Sequence, residues 1–207
     1  MIKLSILIPS LESRKELLSE LVCGLIQQCG VIKGIRSFQS IGCTILILKF
    51  ENVEIVTATD AKEITTGAKR SLLLSVAEND FVIQVDDDDY VYPYFVEKIL
   101  GAIQSCPDCV GTVGIITVDG EGEIEWRLSK DYKNVTITDN GVPVYLRTTN
   151  HISIVKRELA LKAGFPDISN GEDNEFSIRL NPLLQTEVKI NEPLYHYRFS
   201  SQNKEYK

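Results

Sequence analysis

Two stretches of the chain are apolar almost without interruption. Leu4 to Pro9 is broken only by Ser5, and Phe81 to Val85 only by Gln84. Short runs of this kind, with no polar alternation, predict strands buried on both faces. Between and after them the period lengthens. Leu17, Leu18, Leu21, Val22, Leu25 and Ile26 recur at helical spacing up to Gly30, and Ser13-Arg14-Lys15-Glu16 ahead of them has the form of a capping box. Cys43 to Phe50 and Val53 to Ala58 read as two more strands, either paired as a hairpin or with the first as an insertion. Thr65-Thr66 offers a threonine to cap a helix carrying Leu72, Leu73 and Val76. Phe95, Val96, Ile99, Leu100 and Ile103 mark the buried side of the next helix.

The second half continues the alternation. Val110 to Val118 is a strand, Asp119 to Gly122 a turn, and Glu123 to Leu128 the returning hairpin partner. Ser129 to Gly141 is polar without a period and reads as a mobile loop. Val142 to Leu146 reads as a strand. Val155 to Ala163 reads as a helix closed by Gly164, and a last helix starts at Asn170-Gly171-Glu172-Asp173 and stops at Asn181-Pro182. A final strand is expected around Val188 to Ile190. Strands alternating with helices predict an α/β chain with a doubly wound sheet.

At 207 residues, 43% hydrophobic and 25% charged, the chain suits one domain with an ordinary core. The formal net charge of -7 argues against polyanions such as nucleic acid as bulk partners. The apolar start is too short, and too poor in basic charge, for a secretory leader, so it is assigned to the first strand. No run approaches the ~20 apolar residues of a bilayer span. Five scattered cysteines fit reduced thiols and a cytoplasmic setting, and Cys106-Pro107-Asp108-Cys109 is a lone pair without two further zinc ligands.

The chemistry concentrates where the second buried strand ends. Asp86, Asp87, Asp88 and Asp89 follow Val85 directly, and four adjacent carboxylates repel one another unless a cation sits among them. An EF-hand loop starting at Asp86 fails, because its fifth and sixth positions are Tyr90 and Val91. Open α/β sheets place ligands at such strand ends, so a divalent metal carried by a phosphorylated substrate is the economical reading. Gly67 allows close approach to the backbone. Lys69 and Arg70 lie in the first turn of a helix, where basic side chains need an anionic neighbour. Glu172 and Asp173 occupy a first turn as well, which by itself is the ordinary dipole-favoured placement. Trp126, the single tryptophan, either covers one side of its hairpin or stacks on a sugar.

Taken in order, Ile6-Leu7-Ile8-Pro9, Gly67-Ala68-Lys69-Arg70 feeding Val85 to Asp89, Gly171-Glu172-Asp173 and Tyr195-His196-Tyr197 resemble family 2-like glycosyltransferases of the GT-A fold, in their small soluble phage and virus variant. The resemblance runs from Leu4 to about Arg198. It implies a Rossmann-like α/β/α sandwich in one domain over 1–207, with a mostly parallel central sheet and a small antiparallel elaboration. Residues 1–90 would form the nucleotide-sugar half and 91–207 the acceptor half.

By the same resemblance the donor is a nucleotide-diphosphate sugar, UDP favoured, and the cofactor is manganese or magnesium. Asp86 and Asp88 would form the D-x-D motif, with Asp86 toward the ribose and Asp88 on the metal. Asp87 or Asp89 would support them, and His196 would be a further metal ligand. Pro9 and Asp60 would border the nucleotide, although Thr59 replaces a second acid there and leaves the base open. Lys69 and Arg70 would contact the diphosphate or neutralise the acids. Asp173, with Glu172 beside it, would be the general base of an inverting single displacement. The acceptor is left as a soluble glycan, a lipid head group, a protein or a modified nucleobase. A non-catalytic binding module is the first alternative. A nucleotidyltransferase is disfavoured, because Pro9 to Arg14 contains no glycine for a phosphate loop.

Overall fold

The computed structural model describes residues 1–201. In chain order it contains β1 (Leu4–Leu11), α1 (Lys15–Cys29), β2 (Gly34–Ser40), β3 (Cys43–Lys49), β4 (Val53–Asp60), α2 (Thr66–Val76), β5 (Phe81–Gln84), β6 (Tyr90–Val91) and α3 (Phe95–Ile103). It continues with β7 (Cys109–Val118), β8 (Glu121–Leu128), β9 (Val135–Asp139), β10 (Val142–Arg147), β11 (Ile154–Lys156), α4 (Arg157–Ala163), α5 (Glu172–Leu180) and β12 (Glu187–Phe199). The strands join one mixed sheet in the order β2-β3-β4-β1-β5-β11-β7-β8-β10-β9, with β12 beside β7 and β6. Its centre is parallel, β4 and β5 flanking β1, and antiparallel pairing extends to both flanks.

The continuous apolar runs are explained by two cores. Leu4, Ile6 and Ile8 of β1 face a layer containing Leu21 and Leu25 of α1 and Phe95, Ile99 and Ile103 of α3. Leu7 faces the other layer, with Leu73 of α2, Ala160 of α4 and Phe176 of α5. A strand covered by helices on both sides cannot alternate apolar with polar, and β1 does not. Its polar exception is satisfied internally: Ser5 Oγ donates to Glu54 Oε1 at 2.6 Å, and the same oxygen accepts from the Glu78 backbone N–H at 2.6 Å.

Several local expectations are corrected. Ser13 does not cap α1: residues 12–14 form a 3₁₀ turn, the N-cap is Arg14, and no side-chain cap is made. Residues 43–49 and 53–60 are a hairpin, extended outward by an edge strand, β2, that the apolar pattern does not announce. Within 129–141, residues 135–139 are a strand rather than a loop, pairing antiparallel with β10. Val135-Thr136-Ile137-Thr138 is β-branched throughout and gains its hydrogen bonds from that partner. The short final strand is in fact thirteen residues long, because β7 supplies a parallel partner along its length.

Trp126 is the hairpin's cover. It is 6% exposed, lies edge-on to Tyr195 with centroids 6.1 Å apart, and rests on Gly114, where an added Cβ would come within 2.0 Å of the indole.

Candidate active site

The carboxyl ends of β1 and β5, the start of α2, the loop before β11, the start of α5 and the end of β12 surround a cleft of about 510 Å³. This is the position that open α/β sheets use for ligands. Of the residues singled out from the sequence, Pro9, Lys69, Arg70, Asp86, Asp87, Asp88, Glu172 and Asp173 line it together. Asp60, Gly67 and His196 do not.

Thr65 caps α2 as expected, its Oγ1 accepting from the Ala68 N–H at 3.0 Å. That cap sets Lys69 and Arg70 in the first turns, both only 4% exposed. Neither is a solvated surface charge. Lys69 Nζ donates to the Ser10 carbonyl at 2.6 Å and is paired with Asp60. Asp60 is 1% exposed and also accepts from the Ile64 N–H, so it sits behind Lys69 rather than in the cleft.

Arg70 spreads its guanidinium over three acceptors: Glu172 Oε1 at 3.3 Å, Gln84 Oε1 at 3.3 Å and Asp86 Oδ1 at 2.8 Å. Gln84 returns a bond to the Arg70 carbonyl, which accounts for the one polar residue in that buried strand. Burial disfavours the Arg70 charge, but Asp86 and Glu172 outweigh it and raise its pKa. Gly67 packs against the protein itself. An added Cβ there would lie 1.8 Å from the Pro166 carbonyl oxygen, and the Gly67 N–H donates to Ile168 O at 2.9 Å.

The four aspartates differ in how far their surroundings compensate them. Asp86 gives its second oxygen to His151 Nε2 at 3.2 Å; burial pushes its carboxyl up, and Arg70 and His151 outweigh that and hold it far below the usual range. Asp87 accepts from Ser10 Oγ at 2.6 Å and from Arg14 at 2.9 Å. Asp89 accepts from the Tyr195 hydroxyl at 2.6 Å and the Arg198 backbone N–H at 2.9 Å, facing away from the cleft lining. Asp88 meets Arg14 at 3.2 Å, yet burial and the charges of Asp86 and Asp87 still raise its pKa.

That residual charge bears on the metal. Among the described residues no group of three or more His, Cys, Asp or Glu side chains is arranged to hold an ion. His196 is not brought to the cleft; its Nε2 meets Thr117 Oγ1 at 3.0 Å. Asp86 has both oxygens engaged. The described side chains therefore form no cage for a resident ion, and Asp88 is a cleft carboxylate that could hold one.

The sequence reading missed Arg14, His151 and Arg198. Arg14 sits inside the apparent capping box of residues 13–16, and His151 follows Thr148-Thr149-Asn150 in a loop with no period. The cleft brings His151 between the two acidic groups, with Nδ1 3.7 Å from Asp173 Oδ2. The Asp173 side chain is 42% exposed at the cleft, in the first turn of α5, whose N-cap Gly171 takes a left-handed φ of 83°.

No protein-family model matches the chain, and no curated protein matches it. Solved structures do. A crystal structure of Staphylococcus aureus TarS residues 1–349 aligns with a TM-score of 0.62 at 17% identity, covering 95% of this chain and 60% of that one. The same TarS fragment in complex with UDP-GlcNAc gives 0.63 at 17% identity, with 95% and 58% covered. Its complex with UDP gives 0.64 at 17% identity, with 96% and 61% covered. The chain thus spans about three fifths of the TarS fragment it matches. It has the GT-A glycosyltransferase-like fold.

Proposed function

We propose that the chain is a glycosyltransferase that moves a sugar from a nucleotide-diphosphate donor, UDP-sugar favoured, to an acceptor hydroxyl with inversion. The observation that carries this reading is a single cleft in which Asp86–Asp88 at the end of β5 and Glu172–Asp173 at the start of α5 stand together, tied through Arg70 and His151. The TarS fragment that the chain resembles has been solved in complex with UDP-GlcNAc and with UDP, which supports the choice of donor.

In this reading residues 1–90 supply most of the donor side and residues 91–207 the acceptor side. The diphosphate lies by Asp88 with Arg14 and Arg198, which line the same cleft. Lys69 and Arg70 act from behind, holding Asp60, Asp86 and Glu172 in place. Asp88 would hold a manganese or magnesium ion, which when bound supplies positive charge to the departing diphosphate. Asp173 takes the proton of the acceptor hydroxyl as its oxygen forms the bond to the anomeric carbon. The bond from that carbon to the phosphate oxygen breaks, and its electron pair leaves on the nucleoside diphosphate. Attack and departure on opposite faces invert the anomeric centre.

The test is a thermal-shift panel of UDP, GDP, CDP and ADP, each with and without manganese, on wild type and Asp88→Asn. A ligand that binds only the folded state raises the melting temperature. One nucleotide is expected to stabilise the wild type in a metal-dependent way that the variant loses. Indifference to every nucleotide would sink the reading and leave a non-catalytic module.

A further inference from the structure

We infer that His151 is a positioning residue that couples the donor side of the cleft to the candidate base, holding Asp86 through Nε2 and receiving the hydrogen of Asp173 at Nδ1 once that carboxyl has been protonated. This rests on the glycosyltransferase reading and adds to it a residue whose role no sequence pattern suggests.

The loop that carries His151 is fixed from several sides. The Gln84 N–H donates to the His151 carbonyl at 3.3 Å, which ties the loop to the last residue of β5. The Asn150 N–H donates to Ser153 Oγ at 2.9 Å and the Ile152 N–H to Asn150 Oδ1 at 3.1 Å, closing the loop on itself. Ser177 of α5 donates its hydroxyl to the Thr149 carbonyl, and Thr149 Oγ1 donates to Asn181 Oδ1 at 3.1 Å. The imidazole is thus anchored both to the strand that carries the aspartates and to the helix that carries Asp173. Its side chain is 13% exposed.

The network assigns the hydrogens. Asp86 also accepts from Arg70 at 2.8 Å, and a carboxylate gripped by a guanidinium is ionised and can only accept. Nε2 at 3.2 Å therefore carries a hydrogen and donates it. In the neutral ring Nδ1 is then left with its lone pair. That nitrogen is buried and has no hydrogen-bond partner among the described residues, and the carboxylate beside it is Asp173, 3.7 Å away.

An ionised Asp173 offers Nδ1 no hydrogen. The separation, beyond hydrogen-bond length, is what two facing acceptors should show. Asp173 Oδ1 accepts from the Asn174 N–H at 2.8 Å, which leaves Oδ2 as the oxygen facing Nδ1, and once Asp173 has taken the acceptor's proton its new O–H has an acceptor there. The bond exists only after proton transfer has begun, so it favours the transition state over the ground state. The proton passes from the acceptor oxygen to Asp173, and the resulting O–H shares it with Nδ1.

Two substitutions separate the two nitrogens. Asn places an amide near the position of Nδ1, and Gln places one near Nε2. The experiment measures steady-state release of UDP from UDP-sugar, with water as acceptor, for wild type, His151→Asn, His151→Gln and His151→Ala, with melting temperatures alongside.

The inference expects His151→Gln to keep the donor KM and lose about tenfold to a hundredfold in kcat, the scale of a misplaced reacting group. It expects His151→Asn to keep kcat within about threefold while its donor KM rises, because Asp86 has lost its partner. His151→Ala should show both defects. Equal losses in the Asn and Gln variants, or unchanged kcat in all three, would overturn the role of His151 while leaving the glycosyltransferase reading intact. A wild type that neither releases UDP nor is stabilised by any nucleotide would overturn that reading, and this inference with it.

Discussion

Gly67→Ala tests why a glycine opens α2. The sequence suggests close approach of a ligand; the structure puts the protein's own 166–168 segment there instead. A methyl at position 67 would sit 1.8 Å from Pro166 O and 2.8 Å from Ile168 O, both backbone atoms, against a floor of 3.0 Å for real contacts. The Pro166 carbonyl must then retreat by more than an ångström. Overpacking of this kind costs about 3 kcal/mol at its upper range. Loss of the Gly67 N–H to Ile168 O bond, 2.9 Å in the wild type, adds about 1 kcal/mol. Alanine's better helix propensity returns at most about 1 kcal/mol. The net is about 3 kcal/mol, which for a chain of this size is a fall of about 6–12 °C in melting temperature. The displaced segment leads within a few residues to Glu172 and Asp173, so donor turnover should fall in parallel. Circular dichroism melts, with UDP-release assays on the same samples, measure both. A melting temperature within about 2 °C of wild type would show that α2 and the 166–168 segment are not packed as described and would remove the structural account of this glycine.

Arg70→Ala removes a cation shared by Asp86 and Glu172; Asp86 keeps His151, but the buried Glu172 loses its ion pair, which is expected to cost about 3–5 kcal/mol, read by urea denaturation, and Arg70→Lys, with no fork, should recover only part of it. Asp173→Asn should leave the melting temperature unchanged, because the side chain is 42% exposed, while lowering turnover about 10²-fold to 10⁴-fold in a UDP-release assay. Asp108 accepts from Lys156 Nζ at 2.9 Å and from the backbone N–H groups of Gln185 and Thr186, and these bonds hold its carboxyl below the usual range despite an opposing effect of burial. Asp108→Ala is expected to cost about 2–3 kcal/mol at neutral pH. Because the folded-state pKa lies below the unfolded one, that difference is complete above about pH 4 and closes as the pH falls further, which chemical denaturation at a series of pH values measures.

What could be read from the chain by itself was whatever depends on neighbours in sequence. Uninterrupted apolar runs gave β1 and β5, helical spacing gave α1 and α3, and Thr65 gave the start of α2, because burial on two faces, a 3.6-residue period and a cap are all written within a dozen residues. The acidic cluster was legible as a site for the same reason: four adjacent carboxylates are costly wherever the chain folds. Where a partner far along the chain decides the outcome, local pattern failed. Residues 135–139 become a strand because β10 offers them hydrogen bonds, and β12 runs to Phe199 because β7 lies beside it. Ser13 loses its cap where Arg14 turns inward to Asp87 and Asp88, an ion pair between residues more than seventy positions apart.

The site divides in the same way. Residue types and order pointed to Asp86, Asp88 and Asp173, whereas the pairing of Arg70 with Glu172, the removal of His196 to Thr117 and the seat of His151 between two carboxylates belong to tertiary structure. Charge compensation in a buried cleft acts over a few ångströms of space, and only the folded sheet brings Arg14 to Asp87 and Asp88, His151 to Asp86, and Arg70 to both Asp86 and Glu172.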